Sequence, residues 1–204
     1  MARPAPTPLD EDTIVLPRLV RFPVELRTPE GFDPVDPATW PDVEGRLECV
    51  SGRLLYTPPC GLTQQLTVTE VVYVLRQWAG DHPEFAVGSN EAGLHLAGDT
   101  RGLDAVVWRS GDLPSGGHKF VQAVPALAVE VAGGDDTEPL LREKARWYLA
   151  HGVPVVWLVL PDTREVLVLT PAGESRHREG ETLPPAPHLP GLAPRVESVL
   201  RRGG

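Results

Sequence analysis

Apolar and polar residues in the first half of the chain follow two patterns, one typical of strands and one typical of a helix. Leu47–Val50 and Arg53–Tyr56 flank Ser51-Gly52, and a two-residue connection that contains Gly predicts a β-hairpin. From Leu62 to Ala79 the chain has no proline, and apolar residues recur three and four positions apart. This spacing predicts an α-helix, which Gly80 would end.

The second half predicts several strands and one further helix. Leu103–Trp108 and Ala126–Ala132 are nearly continuous apolar runs, which is the pattern of strands covered on both faces. Thr137-Glu138-Pro139 is a favourable helix start, and the helix would continue to about Ala150. Shorter strand patterns lie around 92–96, 153–160 and 165–169. The predicted fold class is α/β (α+β), a central mixed β-sheet flanked by helices, with an N-terminal β-hairpin.

Proline and charge separate both ends of the chain from this middle. Residues 1–22 contain four prolines and the acidic Asp10-Glu11-Asp12, so they are expected to form a flexible arm without a core of its own. We expect a single folded domain over residues 23–198. A frayed tail is expected over residues 199–204, since the chain closes with Arg201-Arg202-Gly203-Gly204.

The composition restricts the class of protein. The formal net charge of −9 over 204 residues argues against coating nucleic acid by bulk electrostatics, but it leaves room for contact at a small metal site. The sequence has no apolar run of about 18 residues and no apolar core of a secretory signal near its start, so no membrane partner is expected. Cys49 and Cys60 lack the spacing of a zinc site or a disulfide framework. Reduced thiols and a cytoplasmic location are therefore expected.

Two predicted strands each contain one carboxylate in an otherwise apolar run, Asp104 in the first and Glu130 in the second. Burial of an ionised carboxylate costs several kcal/mol unless cations or hydrogen bonds compensate. Either residue alone could lie at a strand end and face water. If the two strands pair, both carboxylates would reach one edge, and paired carboxylates with open positions suit Mg²⁺.

The predicted second helix adds a cationic side chain next to these carboxylates. Lys144 lies in one i, i+4 row with Leu140 and Tyr148, beside the apolar row of Leu141 and Ala145. Lys144 therefore borders the buried stripe. It could cover the core with its stem and extend its amine to water. Beside a metal-bound carboxylate pair, the same amine could orient or activate a water molecule.

In this order the motifs resemble those of the Uma-two family of restriction-endonuclease-like proteins, within the PD-(D/E)XK nuclease superfamily. The resemblance covers about residues 40–198, and its most specific part is Glu143–Pro161. The motifs that carry it are Glu48 in the first hairpin, Asp104, Val129-Glu130-Val131, Glu143-Lys144, Tyr148 and the apolar stretch His151–Val159.

The resemblance implies a restriction-endonuclease-like core and hydrolysis of phosphodiester bonds in DNA. Asp104 and Glu130 would hold Mg²⁺, with Mn²⁺ as an alternative ion. Lys144 would take the place of the motif lysine, because Ala132 stands two residues beyond Glu130. Glu48 is a further catalytic candidate, which would steer a water molecule or bind the ion through water. Assembly on duplex DNA would make the protein a homodimer.

The residues around this site depart from the family pattern. Leu103, Gln64, Gly133-Gly134-Asp135 and Leu140 replace residues that are common in the family. Two alternatives to a nuclease therefore stay open. One is a catalytically inactive protein of the same fold that acts as a binding or regulatory module, and the other is a structural interaction module whose pocket has no role.

Overall fold

The structure is a computed structural model that describes residues 20–116, 120–134 and 136–200. The predicted arm therefore lies outside the described residues up to residue 19. Within the described residues, ten strands form one mixed sheet. The strands are β1 (Val24–Leu26), β2 (Arg46–Val50), β3 (Arg53–Thr57), β4 (Phe85–Leu96), β5 (Asp99–Arg109), β6 (Phe120–Val121), β7 (Leu127–Val131), β8 (Val156–Leu160), β9 (Glu165–Thr170) and β10 (Gly173–Arg178).

The sheet runs in the order β1-β3-β2-β5-β7-β8-β9-β10, and β4 pairs with β5 and β6. The predicted hairpin is β2–β3, whose turn residues Ser51 and Gly52 have φ angles of 52° and 75°. Positive φ at both positions matches the twist of a tight hairpin. The carboxylate of Asp99 at the start of β5 accepts a hydrogen bond from the Ser51 N–H at 2.7 Å. This contact fixes the hairpin against β5.

Two helices cover opposite faces of the sheet, as the apolar patterns predict. Helix α1 (Leu62–Gly80) packs Val71 and Leu75 into one core, together with β-strand residues such as Val107. Helix α2 (Glu138–Ala150) packs Leu141, Ala145 and Tyr148 into a second core on the other face. The predicted class, a mixed sheet with a helix on each side, is confirmed.

The connection between β7 and β8 places α2 beside the two carboxylate-bearing strands. β7 and β8 are parallel neighbours, so the chain must cross over between them, and α2 is that crossover. β5 lies antiparallel to β7 on its other side. Side chains of α2 consequently reach β5 and β7 from one face of the sheet.

The structure corrects the sequence predictions at several places. β1, β6 and β10 were not predicted, because β1 and β6 have three and two residues and β10 is polar and mostly exposed. β4 starts at Phe85, well before the predicted pattern around 92–96. β8 starts at Val156, not Val153. Val199 and Leu200, assigned to the frayed tail, are buried in the core, so the packed part of the chain reaches at least Leu200. Among the described residues, no helix is both long and apolar enough to cross a membrane.

Candidate active site

Asp104 and Glu130 lie opposite each other on the paired strands β5 and β7. Ala105 pairs with Val129 in this antiparallel ladder, so the adjacent residues Asp104 and Glu130 also face each other. Residues opposite each other across such a ladder have Cβ atoms about 5 Å apart and share one face of the sheet. Asp104 is 5% exposed and Glu130 2%. The alternative that they face water at strand ends is therefore excluded.

Three elements hold the Asp104 carboxylate. Its Oδ2 atom accepts a hydrogen bond from the backbone N–H of Val131 at 2.7 Å. The Gln64 amide, in the first turn of α1, donates to the same oxygen at 3.5 Å and to the Val131 carbonyl at 3.0 Å. The guanidinium of Arg46 on β2 lies 3.8 Å from Oδ1. The carboxylate is thus oriented by a neighbouring strand, a helix start and a cation.

Lys144 connects Glu130 with Glu48. Its Nζ atom lies 3.0 Å from Glu130 and 3.1 Å from the Oε1 atom of Glu48, and it donates to the Gly102 carbonyl at 3.1 Å. The Tyr148 hydroxyl, one helical turn further along α2, donates to Oε1 of Glu130 at 2.6 Å. The three predicted residues Asp104, Glu130 and Lys144 and the further candidate Glu48 are therefore brought together.

Glu48 reaches this cluster because β2 and β5 are only loosely paired. Their ladder contains the single pair Cys49 and Thr100. Beyond it, the Gly102 N–H donates to the side chain of Glu48 at 3.0 Å, and the Gly102 carbonyl accepts from Lys144. At Gly102, the side chains of Glu48 and Lys144 thus make the hydrogen bonds that a neighbouring strand would otherwise make with the backbone of β5.

The cluster contains more negative than positive charge. Among the residues that the structure describes, the carboxylates of Glu48, Asp104 and Glu130 share two cationic partners, Lys144 and Arg46. Burial raises the pKa of Glu130 to about 7, and the nearby charges of Asp104 and Glu48 add to this against the opposing effect of Lys144. Burial also raises the pKa of Glu48, but Lys144 and Arg46 outweigh it and bring the net value below normal.

Lys144 and Tyr148 are held in their protonated forms. Burial alone would lower the pKa of the Lys144 amine, but the carboxylates of Glu130 and Glu48 outweigh it and raise the pKa above its usual value. Burial and the negative charge of Glu130 raise the pKa of Tyr148 well above its usual value. At neutral pH both side chains are therefore hydrogen-bond donors, and Lys144 is a cation rather than a base.

Sequence reasoning did not assign a role to Arg46, Gln64 or Tyr148 in this cluster. A signal for Arg46 exists, since positions 46 and 48 lie two apart on one strand and share a face. Tyr148 follows Lys144 by four residues and so shares its helix face. Gln64 is noted in the sequence only as a departure from the family pattern.

A cleft of about 790 Å³ opens onto these charged side chains. It is lined by the β2–β3 hairpin, the start of α1 and one face of α2, and its lining includes Glu48, Asp104, Glu130 and Lys144. Among residues 20–116, 120–134 and 136–200, no three His, Cys, Asp or Glu side chains are arranged as a ready-made metal cluster.

The chain covers 93% of a crystal structure titled as "a putative nuclease belonging to DUF820" from Anabaena variabilis ATCC 29413, and 79% of the present chain is matched. The two share 18% sequence identity with a TM-score of 0.71, which establishes a common fold. No curated protein matches the sequence. Residues 38–197 match the model of the Uma2 family, which is described as "Putative restriction endonuclease", so the chain belongs to the Uma2 family.

Proposed function

We propose that this protein is a metal-dependent nuclease that hydrolyses phosphodiester bonds in DNA, with Asp104 and Glu130 as ligands of Mg²⁺. Mn²⁺ is the alternative ion at the same site. Lys144 is the proposed catalytic cation, and Glu48 is the carboxylate that orients it. Membership of the Uma2 family supports nuclease chemistry. The ion, the substrate and the residue roles are our proposal.

The observation that carries this proposal is the unequal charge of the buried cluster. Three carboxylates converge on two cationic side chains, within a sheet whose neighbouring residues are apolar. An uncompensated buried charge is unfavourable, so the cluster favours one more cation or a proton. A buried carboxylate in a cleft, whose pKa is shifted by burial and by charged neighbours, marks a candidate functional site.

The donor atoms of this cluster suit a hard divalent ion. Mg²⁺ prefers oxygen ligands, and it commonly binds one or two carboxylates while keeping positions for water and substrate phosphate. A carboxylate offers about four lone-pair positions, so the contacts of Glu130 with Tyr148 and Lys144 leave acceptor capacity. Two opposed carboxylates at the floor of a cleft therefore fit the ion.

The protein side chains have separate roles in this proposal. A divalent ion would supply Lewis-acid polarisation of a phosphoryl oxygen. Lys144, held as an ammonium, would stabilise negative charge that develops on the attacking and phosphoryl oxygens. Glu48 would keep the Lys144 amine aimed into the cleft, and Tyr148 would fix the orientation of Glu130. The charged state of Lys144 argues against its use as a general base.

The proposal also includes the oligomeric state and the cellular location of the protein. A homodimer would let two clefts act on one DNA, and light scattering of the purified protein measures this. A mass corresponding to a monomer would contradict it. A cytoplasmic location is part of the same proposal.

Metal-dependent cleavage tests the proposal. Wild type, Glu130→Gln and Glu174→Gln would be incubated with several DNAs in Mg²⁺, in Mn²⁺ and in chelator. We expect cleavage with either ion, a loss of about 100-fold or more in Glu130→Gln, and unchanged cleavage in Glu174→Gln, which is half exposed and does not line the cleft. Equal cleavage in chelator or by Glu130→Gln would contradict the proposal.

An inactive binding module on the same fold is the second candidate. It is favoured by one observation, namely that Lys144 already neutralises part of Glu130 and Glu48 without an ion. A wild-type protein that cleaves no DNA and has no measurable affinity for Mg²⁺ or Mn²⁺ would support this candidate over the nuclease.

A further inference from the structure

One wall of the cleft is a single face of the β2–β3 hairpin. Alternate residues of a strand point to the same side, and those on the cleft side of both strands all line the cleft. We call this surface the hairpin face, and it consists of Arg46, Glu48, Val50, Arg53, Leu55 and Thr57. The opposite wall is formed by α2, which contributes Leu140, Lys144 and Trp147.

The cationic side chains of the cleft are few, and each has a carboxylate partner. Among the described residues, Arg53 lies 3.6 Å from Glu25, and Arg101 lies 3.0 Å from Asp99. Arg46 and Lys144 contact the carboxylates of the floor. A protein that neutralises about six to ten phosphates of duplex DNA needs a similar number of Lys and Arg side chains. Among the described residues the cleft offers four cationic side chains, and each of them lies beside a carboxylate.

Apolar side chains occupy part of both walls, beside polar residues such as Gln65 and Glu143. Leu55 and Pro59 lie on the side of the hairpin face, and Leu140, 46% exposed, lies on the side of α2. Trp147 already stacks with Arg101 at 4.2 Å and with His151 at 4.3 Å, so these aliphatic groups are the surfaces left for a ligand. Duplex DNA keeps the faces of its bases inside the helix, whereas a single strand exposes them for contact with a protein wall.

We propose that the cleft binds single-stranded DNA rather than duplex DNA. An extended strand would run along the hairpin face, with one phosphodiester over the carboxylate floor and adjacent bases against Leu55, Pro59 and Leu140. This inference rests on the proposed nuclease function, because the same floor would hold the ion. It narrows the substrate class from DNA in general to unpaired segments, such as flaps, gaps or ends.

Binding measurements test the inference directly. A fluorescein-labelled 16-nucleotide single strand and the duplex of the same sequence would be titrated with wild type by fluorescence anisotropy, with Ca²⁺ in place of Mg²⁺ to limit hydrolysis. We expect the single strand to bind at least about tenfold more tightly. Its affinity should fall with a log–log salt slope of at most about 3, since each phosphate contact on a single strand contributes about 0.7.

Matched variants locate the binding surface. Leu140→Gln should weaken single-strand binding about threefold, while Leu62→Gln, 65% exposed on α1 and outside the cleft, should leave it unchanged. Arg53→Gln should lower the salt slope by about 0.7, while Arg195→Gln should not alter it. The two arginines are similarly exposed, 57% and 60%, and each is paired with one glutamate. All four positions are exposed, so folding should be retained.

The outcomes separate this inference from the proposed function. Tighter binding of the single strand, with the expected variant effects, supports it. Equal or tighter binding of the duplex, or a salt slope near 5 or above, overturns the inference that the cleft prefers single strands. In that case, metal-dependent cleavage of the duplex would still leave the proposed nuclease function intact. Absence of binding to either DNA also overturns the inference. If cleavage and metal binding were absent too, the proposed function would fail with it.

Discussion

Helix α2 carries two groups of charged residues whose settings differ. On its outer side, Glu138 pairs with Arg142 at 2.8 Å and with Arg176 at 2.6 Å, and Arg142 also contacts Glu174. We call this group the outer network. On its inner side, Lys144 and Tyr148 bind Glu130, and Lys144 also binds Glu48. We call this group, with Asp104 and Arg46, the buried cluster.

Both groups pair carboxylates with cationic side chains, but they differ in charge balance and in exposure to solvent. In the outer network, hydrogen bonds from Arg176 and Arg142 lower the pKa of Glu138, and water screens what remains. In the buried cluster, burial and excess negative charge raise the pKa of Glu130 to about 7. The outer network contains two carboxylates and two cations, whereas the described part of the buried cluster contains three carboxylates and two cations. This difference is why we assign function to the buried cluster alone.

The largest expected contrast is in stability. Lys144→Ala leaves the buried carboxylates with Arg46 as the remaining cation, so we expect the free energy of unfolding to fall by about 3–5 kcal/mol at pH 7. Arg142→Ala, on the same helix, should cost less than about 1 kcal/mol. Urea unfolding followed by circular dichroism measures both. Similar losses in the two variants would remove the distinction between the two groups.

The next largest contrast between the buried cluster and the outer network is expected in the pH dependence of the free energy of unfolding. Between about pH 4.5 and 7, the folded protein holds a proton on Glu130 that the unfolded chain has released. The free energy of unfolding of the metal-free protein should therefore contain a contribution that is complete below pH 4.5 and lost as the pH rises through 7. Glu130→Gln should abolish this contribution. An unchanged pH profile in Glu130→Gln would contradict the raised pKa.

A smaller effect on the free energy of unfolding is expected when Tyr148 is replaced. Above about pH 7, where Glu130 is ionised, Tyr148→Phe removes a hydrogen bond to a charged acceptor, and such bonds are worth about 1.5–3 kcal/mol. Because the Tyr148 hydroxyl lowers the pKa of Glu130, its removal should raise that pKa further. Carboxyl-carbon NMR titration measures the pKa, and urea unfolding measures the stability. A pKa of Glu130 that fails to rise would show that Tyr148 does not stabilise the ionised carboxylate.

The smallest effect is expected where Gln64 supports Asp104. A Cβ atom at Gly133 would come within 2.4 Å of the Gln64 amide oxygen, whereas one at Gly134 would meet nothing within 4 Å. Gly133→Ala should therefore displace Gln64 and cost about 1 kcal/mol in stability, the value of an ordinary hydrogen bond. Gly134→Ala is the control. Equal stability of the two variants would argue that Gln64 does not hold Asp104.

Much of the fold could be predicted from the sequence because its strands and helices bury apolar residues at regular spacing. β1 and β10 could not be predicted in this way. The three residues of β1 are too few for a pattern, and β10 pairs with β9 through its backbone while its polar side chains face solvent. Val199 and Leu200 were assigned to the tail because they directly precede Arg201-Arg202-Gly203-Gly204, yet irregular chain can still pack apolar side chains.

Part of the candidate site could be predicted, because a charged residue inside an apolar run of the sequence indicates a buried charge. Asp104 and Glu130 stand out because each interrupts an apolar run, and the antiparallel register then places them opposite each other. The contact of Tyr148 with Glu130 could not be predicted, because the sequence does not specify which sheet face α2 covers. Nor does it give the distance from β2 to β5 that lets Lys144 reach Glu48.

Metal titration tests the central claim, that the buried cluster holds a divalent ion, most directly. Calorimetry with Mn²⁺ would compare wild type with Asp104→Asn, Glu130→Gln and the exposed control Glu174→Gln. We predict one ion per chain in wild type and in the control, and affinity weakened by about tenfold or more in the two cluster variants. Absence of binding by wild type, or equal affinity in all four proteins, would contradict the account.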